Sequence, residues 1–246
     1  MTALAIGAAT DDGALSIRVA NVEVVLRASG ALWLAQQRML VVADLHLEKG
    51  SAYAARGQLL PPYDTRETLD RLEREVAALT PRSVVLLGDT LHDGDAQTRI
   101  APAERARIAA LSDRLRLIWV CGNHDPEGAG DLGGETATVV EVAGLTLRHD
   151  PSPFPIVGEV AGHLHPAARI HGPAGSVRRR CFASDGRRLI LPAFGAYAGG
   201  LNLRDHAFAE LFETKPKGFT IGRCVTAVAY ERLSPDRASR TRSVRS

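Results

Sequence analysis

The sequence predicts an α/β protein organised around a parallel sheet, on three observations. Four apolar runs of strand length each end in Asp, Asn or His. They are Val41-Val42-Ala43-Asp44-Leu45-His46, Val84-Val85-Leu86-Leu87-Gly88-Asp89, Leu117-Ile118-Trp119-Val120-Cys121-Gly122-Asn123-His124-Asp125 and Val160-Ala161-Gly162-His163-Leu164-His165. Helical patterns separate the first three, the arrangement of βαβ units with a parallel sheet core. Finally, 246 residues with 45% hydrophobic and 24% charged side chains suit a globular domain with a sizeable core.

Taken in order, residues 1–13 read as a loose start, and 16–26 as a strand or hairpin bending near Asn21. Two more strands follow over 31–35 and 39–43. Strand alternation then predicts that Asp44 and His46 project to one side. Residues 48–63 hold Gly50, Gly57, Pro61 and Pro62 without a sustained period, so they read as a long loop over the site with a short helix near 51–55. Asp64 is read as the N-cap of the next helix, with Glu67 completing a capping box. Leu69, Leu72, Val76 and Leu79 give that helix one apolar stripe, and Pro81 ends it. A strand over 83–87, a loop over 89–98, a helix over 102–115 with Pro102 in its first turn, and a strand over 117–121 complete this half. Beyond Pro126 the spacing predicts a hairpin of 136–142 with 145–149 around Gly144. Short strands over 157–162, 167–171, 177–183 and 187–191, a helix over 206–212 and a strand within 224–230 follow. No linker divides the chain, so residues 1–232 are expected to form one domain, followed by an Arg/Ser-rich tail over 233–246 that is expected to be flexible.

No stretch approaches 18 apolar residues, and no basic region and apolar stretch mark a secretory leader, so neither a membrane span nor export is expected. Cys121, Cys181 and Cys224 are odd in number and widely spaced, which argues against disulfides or a thiolate zinc site and fits a cytoplasmic protein. The net charge is +2. From 231 to 246, five arginines stand against Glu231 and Asp236 for +3, which leaves the body at −1. That tail either touches nucleic acid or is merely solvated. Arg178, Arg179, Arg180, Arg187 and Arg188 likewise either track a phosphate backbone or form a solvated hairpin face. His92, His171 and His206 read as surface or satisfied polar residues, and Cys121 as packing at a strand end.

The candidate ligands are Asp44, His46, Asp89, Asn123, His149, His163 and His165, all N or O donors. Such a set selects divalent transition metals, with Mn, Fe or Zn the candidates, over a closed structural zinc or a magnesium-only site. Seven side chains are too many for one ion with room for substrate, and they fit two ions sharing a carboxylate. Two divalent ions against Asp44, Asp89 and a bridging hydroxide leave a centre of about +1, which attracts phosphate and activates water.

The order of these blocks over 39–165 resembles the calcineurin-like metallophosphoesterase superfamily. The resemblance implies a four-layer α/β/β/α sandwich of two mixed sheets. It implies one metal on Asp44, His46, Asp89 and His165, and a second, bridged by Asp89, on Asn123, His149 and His163. It further implies that His124 binds no metal but stabilises the transition state and protonates the leaving oxygen. A narrower likeness lies in Asp44-Leu45-His46-Leu47-Glu48-Lys49-Gly50-Ser51, Arg56-Gly57, Leu60-Pro61-Pro62-Tyr63-Asp64-Thr65, Leu191-Pro192-Ala193-Phe194-Gly195 and Gly199-Gly200-Leu201. These are similar to bacterial ligase-associated DNA-damage-response phosphoesterases of the PdeM type. That likeness implies Mn2+-dependent phosphodiester hydrolysis, as by a DNA endonuclease in repair, alongside DNA ligase and helicase partners.

One position departs from the pattern. Many phosphoesterases carry an acidic residue three positions after the bridging Asp, where it orients the catalytic His; here that slot is His92, followed by Asp93. Either Asp93 takes the orienting role or His92 serves another purpose. Other readings kept open are a phosphomonoesterase or nucleotide pyrophosphatase on a small metabolite, and a non-catalytic metal-binding module of a repair complex. The oligomeric state is also open, a homo-oligomer included.

Overall fold

The computed structural model describes residues 4–58, 60–128, 130–172 and 175–236. Its first sheet takes eight strands in chain order: β1 (Ile6–Ala9), β2 (Leu15–Val19), β3 (Val22–Leu26), β4 (Leu32–Leu34), β5 (Met39–Val42), β6 (Ser83–Leu87), β7 (Arg116–Val120) and β8 (Glu135–Ala137). Pairing is antiparallel from β1 to β5 and parallel from β5 to β8. Helices α1 (Lys49–Ala55), α2 (Asp64–Leu79), α3 (Ala96–Arg99) and α4 (Pro102–Arg114) belong to the same half. Strands β5 and β6 are buried along their whole length because both faces are covered. Leu40, Val42, Val84, Leu86, Leu117 and Trp119 meet Leu69, Leu72 and Val76 of α2 and Ile108 and Leu111 of α4. Val41, Val85, Leu87, Ile118 and Val120 face the other way, into the second sheet.

That sheet runs β16-β15-β13-β14-β11-β10-β9, with β12 paired to β13 and β17 to β12. Its strands are β9 (Val139–Val142), β10 (Leu145–Arg148), β11 (Glu159–Ala161), β12 (Ala167–Gly172), β13 (Gly175–Ser184), β14 (Leu189–Ile190), β15 (Lys217–Ile221), β16 (Val225–Val228) and β17 (Leu233–Ser234). It is mixed: β10, β11 and β14 pair parallel and the rest antiparallel. Leu145, Leu147, Val160, Phe182, Leu189 and Phe219 form the core against the first sheet. Ala161, Cys181, Ala183 and Ile190 point outward and are covered by Leu203, Phe208, Leu211 and Phe212. The expected sandwich of two mixed sheets is therefore present. Its second outer layer is thin, and over 201–212 the described helical structure is one 3-10 turn, His206–Phe208, where the sequence predicts a helix to 212.

Four further expectations are corrected. The start is not loose, since β1 pairs with β2. The capping box at Asp64 is not formed: Tyr63 occupies the N-cap position, and Asp64 accepts instead from the N–H of Gly50 at 3.0 Å, tying α1 to α2. Residues 136–142 do not form one arm of a hairpin. The chain leaves the first sheet after β8 and enters the second at β9, where β9 and β10 turn through Ala143 and Gly144, both at positive φ. Alternation reads the same on either sheet, so the sequence conceals the crossover. Beyond 232, where the tail was expected to begin, Leu233 is buried and β17 pairs with β12. The tail's remainder, 237–246, lies outside the described residues. Among the described residues no helix is long and apolar enough to cross a membrane.

Candidate metal centre

The candidate ligands follow the C-terminal ends of parallel strands, Asp44 after β5, Asp89 after β6, His149 after β10 and His163 after β11, where open α/β sheets bind ligands. The strand pleat does not aim them, which corrects the alternation expected for Asp44 and His46. β5 stops at Val42, and both residues lie beyond it with left-handed backbone, at φ 55° and 45°. Asp89, His163 and His165 share that conformation. A left-handed residue that is not glycine costs about 1–3 kcal/mol and persists only where its surroundings enforce it. Here they do. The N–H of Asp44 donates to the carbonyl of Gly88, and that of His46 to the carbonyl of Asp89 at 2.9 Å. The N–H of His163 donates to the Asp44 carboxylate at 3.1 Å. Close approach explains the glycine before two of the ligands. A Cβ on Gly88 would sit 2.3 Å from the His149 ring, and one on Gly162 would sit 2.6 Å from Oδ2 of Asp44.

Six of the seven expected ligands fall into two groups of three, Asp44-His46-His165 and Asp89-His149-His163, with ligand atoms within 4.8 Å of one another in each. In the first, Nε2 of His165 lies 3.2 Å from Oδ1 of Asp44 and 3.3 Å from Nε2 of His46. In the second, Nε2 of His149 lies 3.3 Å from Oδ1 of Asp89 and 3.2 Å from Nδ1 of His163. Oδ1 of Asp44 is also 3.7 Å from Nδ1 of His149. Asp44 thus faces histidines of both groups. Oδ1 of Asp89 is held by His149 and by the backbone N–H of His124, at 2.9 Å. Asn123 is exposed and sits between Gly122 and His124 in the loop after β7.

The electrostatics fit a cation at each group. Burial and then the neighbouring His165 pull the His46 pKa down to about 3, so its ring is neutral. Its Nδ1 is buried without a hydrogen-bond partner. Burial also opposes charge on His149, yet Asp89 and Asp44 prevail and hold it up at about 9. For Asp89, burial is outweighed by the hydrogen bonds from His149 and from the N–H of His124, which leave it below the usual carboxylate range. Imidazole nitrogens gathered with carboxylates in this way are the donor set of Mn, Fe or Zn.

Around this centre the structure reassigns two residues and adds one. Asp93 does not orient His124. It pairs with Arg99 at 2.7 Å, which in turn donates to Oγ of Ser51. The acceptor for Nδ1 of His124 is the carbonyl of His92, at 2.7 Å. His92 is no detached surface residue either: its ring stacks on that of His124 at 5.6 Å and forms a third group with His46 and His124. Asp125, which had no expected role, is 5% exposed and accepts from the N–H groups of Thr90, Leu91 and Gly122. It locks the loop after β6 to the loop after β7. Burial raises its pKa to about 6 against those three donors. Its only trace in the sequence is a position beside the Asn-His pair.

Residues 37–189 match the model of the family described as calcineurin-like phosphoesterase. No curated protein matches the chain. Among solved structures, the nuclease MPE of Pseudomonas putida is similar at 28% identity and TM-score 0.66, over 87% of this chain and 100% of that one. Two others are similar only at TM-scores below 0.5. Yfce, a phosphoesterase from E. coli, is 16% identical over 78% of this chain and 98% of that one, with TM-score 0.40. A protein of unknown function from Aquifex aeolicus, AQ665, is 19% identical over 52% and 78%, with TM-score 0.36.

Proposed function

The chain belongs to the calcineurin-like phosphoesterase family and is a metal-dependent phosphoester hydrolase, and we propose that it cleaves phosphodiesters, DNA among them, at a pair of divalent cations. The observation that carries this is the pair of His/His/Asp groups interlocked through Asp44. Asp44, His46 and His165 would hold one cation, and Asp89, His149, His163 and Asn123 the other. Bound there, the cations supply a nucleophile from water near neutral pH and draw charge off the phosphoryl group.

The chain's own residues do the rest. A carbonyl only accepts, so His124 carries its proton on Nδ1 toward His92 and turns Nε2 to the Asp89 side, 3.9 Å from Oδ2. As the imidazolium, with a second proton on Nε2, it meets the phosphoryl oxygens and hands that second proton to the leaving oxygen, returning to the neutral ring with its Nδ1 proton still on the His92 carbonyl. Asp125 keeps that loop in register, and the N–H of His163 keeps Asp44 aimed. The similarity to a nuclease at 28% identity and the blocks around Asp44 and Phe194 support a Mn2+-dependent DNA endonuclease of the ligase-associated repair type. In that reading the protein works in the cytoplasm with DNA ligase and helicase partners.

The test is purified Mn2+-loaded protein on closed circular single-stranded DNA, an aryl diester and its matched monoester. Nicking of the circle, and faster turnover of diester than monoester, is expected. A monoester hydrolysed faster than the diester would transfer the site to small metabolites. Silence on every ester would end the proposal.

A further inference from the structure

One loop links the two ends of the first ligand group. Residues 193–202 begin against Asp44, with the N–H of Phe194 on the carbonyl of Ala43 at 2.8 Å and that of Gly195 on the carbonyl of Asp44 at 3.2 Å. They end against the strand that follows His165, where Ala167 and Leu201 hydrogen-bond at 2.7 Å. Two guanidinium groups converge on this loop. Nη1 of Arg71, from α2, donates to the carbonyl of Phe194 at 2.7 Å, and its guanidinium lies 5.3 Å from the centre of the Phe194 ring. Nη1 of Arg180, from β13, donates to the carbonyls of Ala193 at 2.7 Å and Phe194 at 3.5 Å.

Like charges are thus held side by side, and little opposes them. Arg71 has Glu67 at 3.4 Å, and that carboxylate is 57% exposed. Arg180 has no ion pair among the described residues. Burial and then the charge of Arg71 hold its pKa down at about 10, the mark of a cation short of counter-charge. Elsewhere this chain pairs its half-buried arginines well: Arg27 has Asp12 and Glu75, and Arg107 has Asp70 and Glu73. Two carbonyls need two N–H donors, whereas two guanidiniums bring ten. Capping the loop therefore leaves most of this donor capacity unexplained. Planar donors of paired arginines match phosphate oxygens in a fork.

The geometry points to Arg71 and Arg180 as the seat of a second phosphate, one step along a nucleic-acid strand from the ester being cut. The strand would cross the loop at Ala196, Ala198 and Gly199, where two methyl groups and a bare glycine let a backbone lie close. This rests on the phosphodiesterase reading and sharpens it, because a small metabolite has no second phosphate diester to offer there.

The test uses Arg180→Met, Arg71→Met and Arg180→Lys. Binding of a labelled single-stranded oligonucleotide is measured by fluorescence anisotropy across salt, in Mn2+-loaded protein carrying His124→Asn so that turnover does not erode the signal. Each Met variant is expected to lose about tenfold in affinity. Its plot of log affinity against log salt is expected to flatten by about 0.7. Arg180→Lys should keep the wild-type slope while losing part of the affinity, and it covers the case where Met disturbs the fold. With His124 restored, the ratio of kcat/KM on the oligonucleotide to that on an aryl diester should fall by the same factor. An unchanged slope and ratio would overturn the proposal. So would an equal loss on both substrates at unchanged slope, since that marks a clamp for the loop alone. Wild-type protein that binds the oligonucleotide through these arginines yet hydrolyses no ester would break the functional reading and leave this seat standing.

Discussion

Beneath the second sheet, Arg188 and Glu159 are each 1% exposed and stand 2.7 Å apart. Arg188 also donates to the carbonyls of Ser152, Phe154 and Leu211, so the pair fastens the loop after β10 and the cover of the outer face. At the rim, Asp44, His46, Asp89 and His149 are equally buried. There, however, ring nitrogens face ring nitrogens at 3.2–3.3 Å. Burial with opposite charges paired completes a fold. Burial with ring nitrogens and carboxylates converging, on backbone forced left-handed, is an arrangement that a bound cation would satisfy. The sheet that carries the one also supplies His149 and His163 to the other.

That contrast breaks most visibly through Asp44→Ala. Losing the carboxylate that touches both groups is expected to raise the barrier by more than about 5 kcal/mol, ~10⁴-fold in kcat. Bound metal, measured by elemental analysis, should fall with it, and excess Mn2+ should no longer raise Tm. Arg188→Met tests the other region. It leaves the buried Glu159 carboxylate with only the N–H of Ser152 and the guanidinium of Arg148 at 3.8 Å, and should cost about 3 kcal/mol of stability. In a denaturant titration that loss should be the same with or without Mn2+, because no ligand group is involved. A loss abolished by Mn2+ would merge the two regions into one.

How much of this was visible in the sequence follows the range of the forces. Asp44, His46, Asp89, His163 and His165 were legible because each stands at the end of a local apolar run, next to motif neighbours, whereas His149 stands at a hairpin end without a diagnostic neighbour. The strands and helices of the first half were legible for the same reason, through their periods of 2 and 3.6. What escaped depends on register and on contacts across the fold. The left-handed turns at Asp44 and His46 are imposed by backbone bonds to Gly88 and Asp89. The tie from Asp125 to Thr90 and Leu91 spans 35 and 34 residues. Arg180 reads in the sequence as one of five arginines that either track a phosphate backbone or form a solvated hairpin face. Pairing of Ala167 with Arg180 in β12 and β13 turns it inward to Phe194, and Arg188 proves to be the buried half of an ion pair.

Two smaller effects sharpen the account within the rim. His124→Asn should lower kcat by about 10²-fold, roughly 3 kcal/mol, with metal content unchanged. A kcat near wild type would take His124 out of the chemistry. Asp93→Asn should change kcat by less than about twofold, roughly 0.4 kcal/mol, because the carbonyl of His92 and not this carboxylate positions the ring. A loss as large as that of His124→Asn would return the orienting role to Asp93.

The most direct measurement is the number of Mn2+ ions bound per chain, by calorimetric titration of chelator-stripped protein, in wild type, Asp44→Ala and Arg188→Lys. Two ions in wild type, fewer in Asp44→Ala and two again in Arg188→Lys is the predicted result. One ion or none in the wild type, or two in the Asp44 variant, would contradict a paired-cation centre built on that carboxylate.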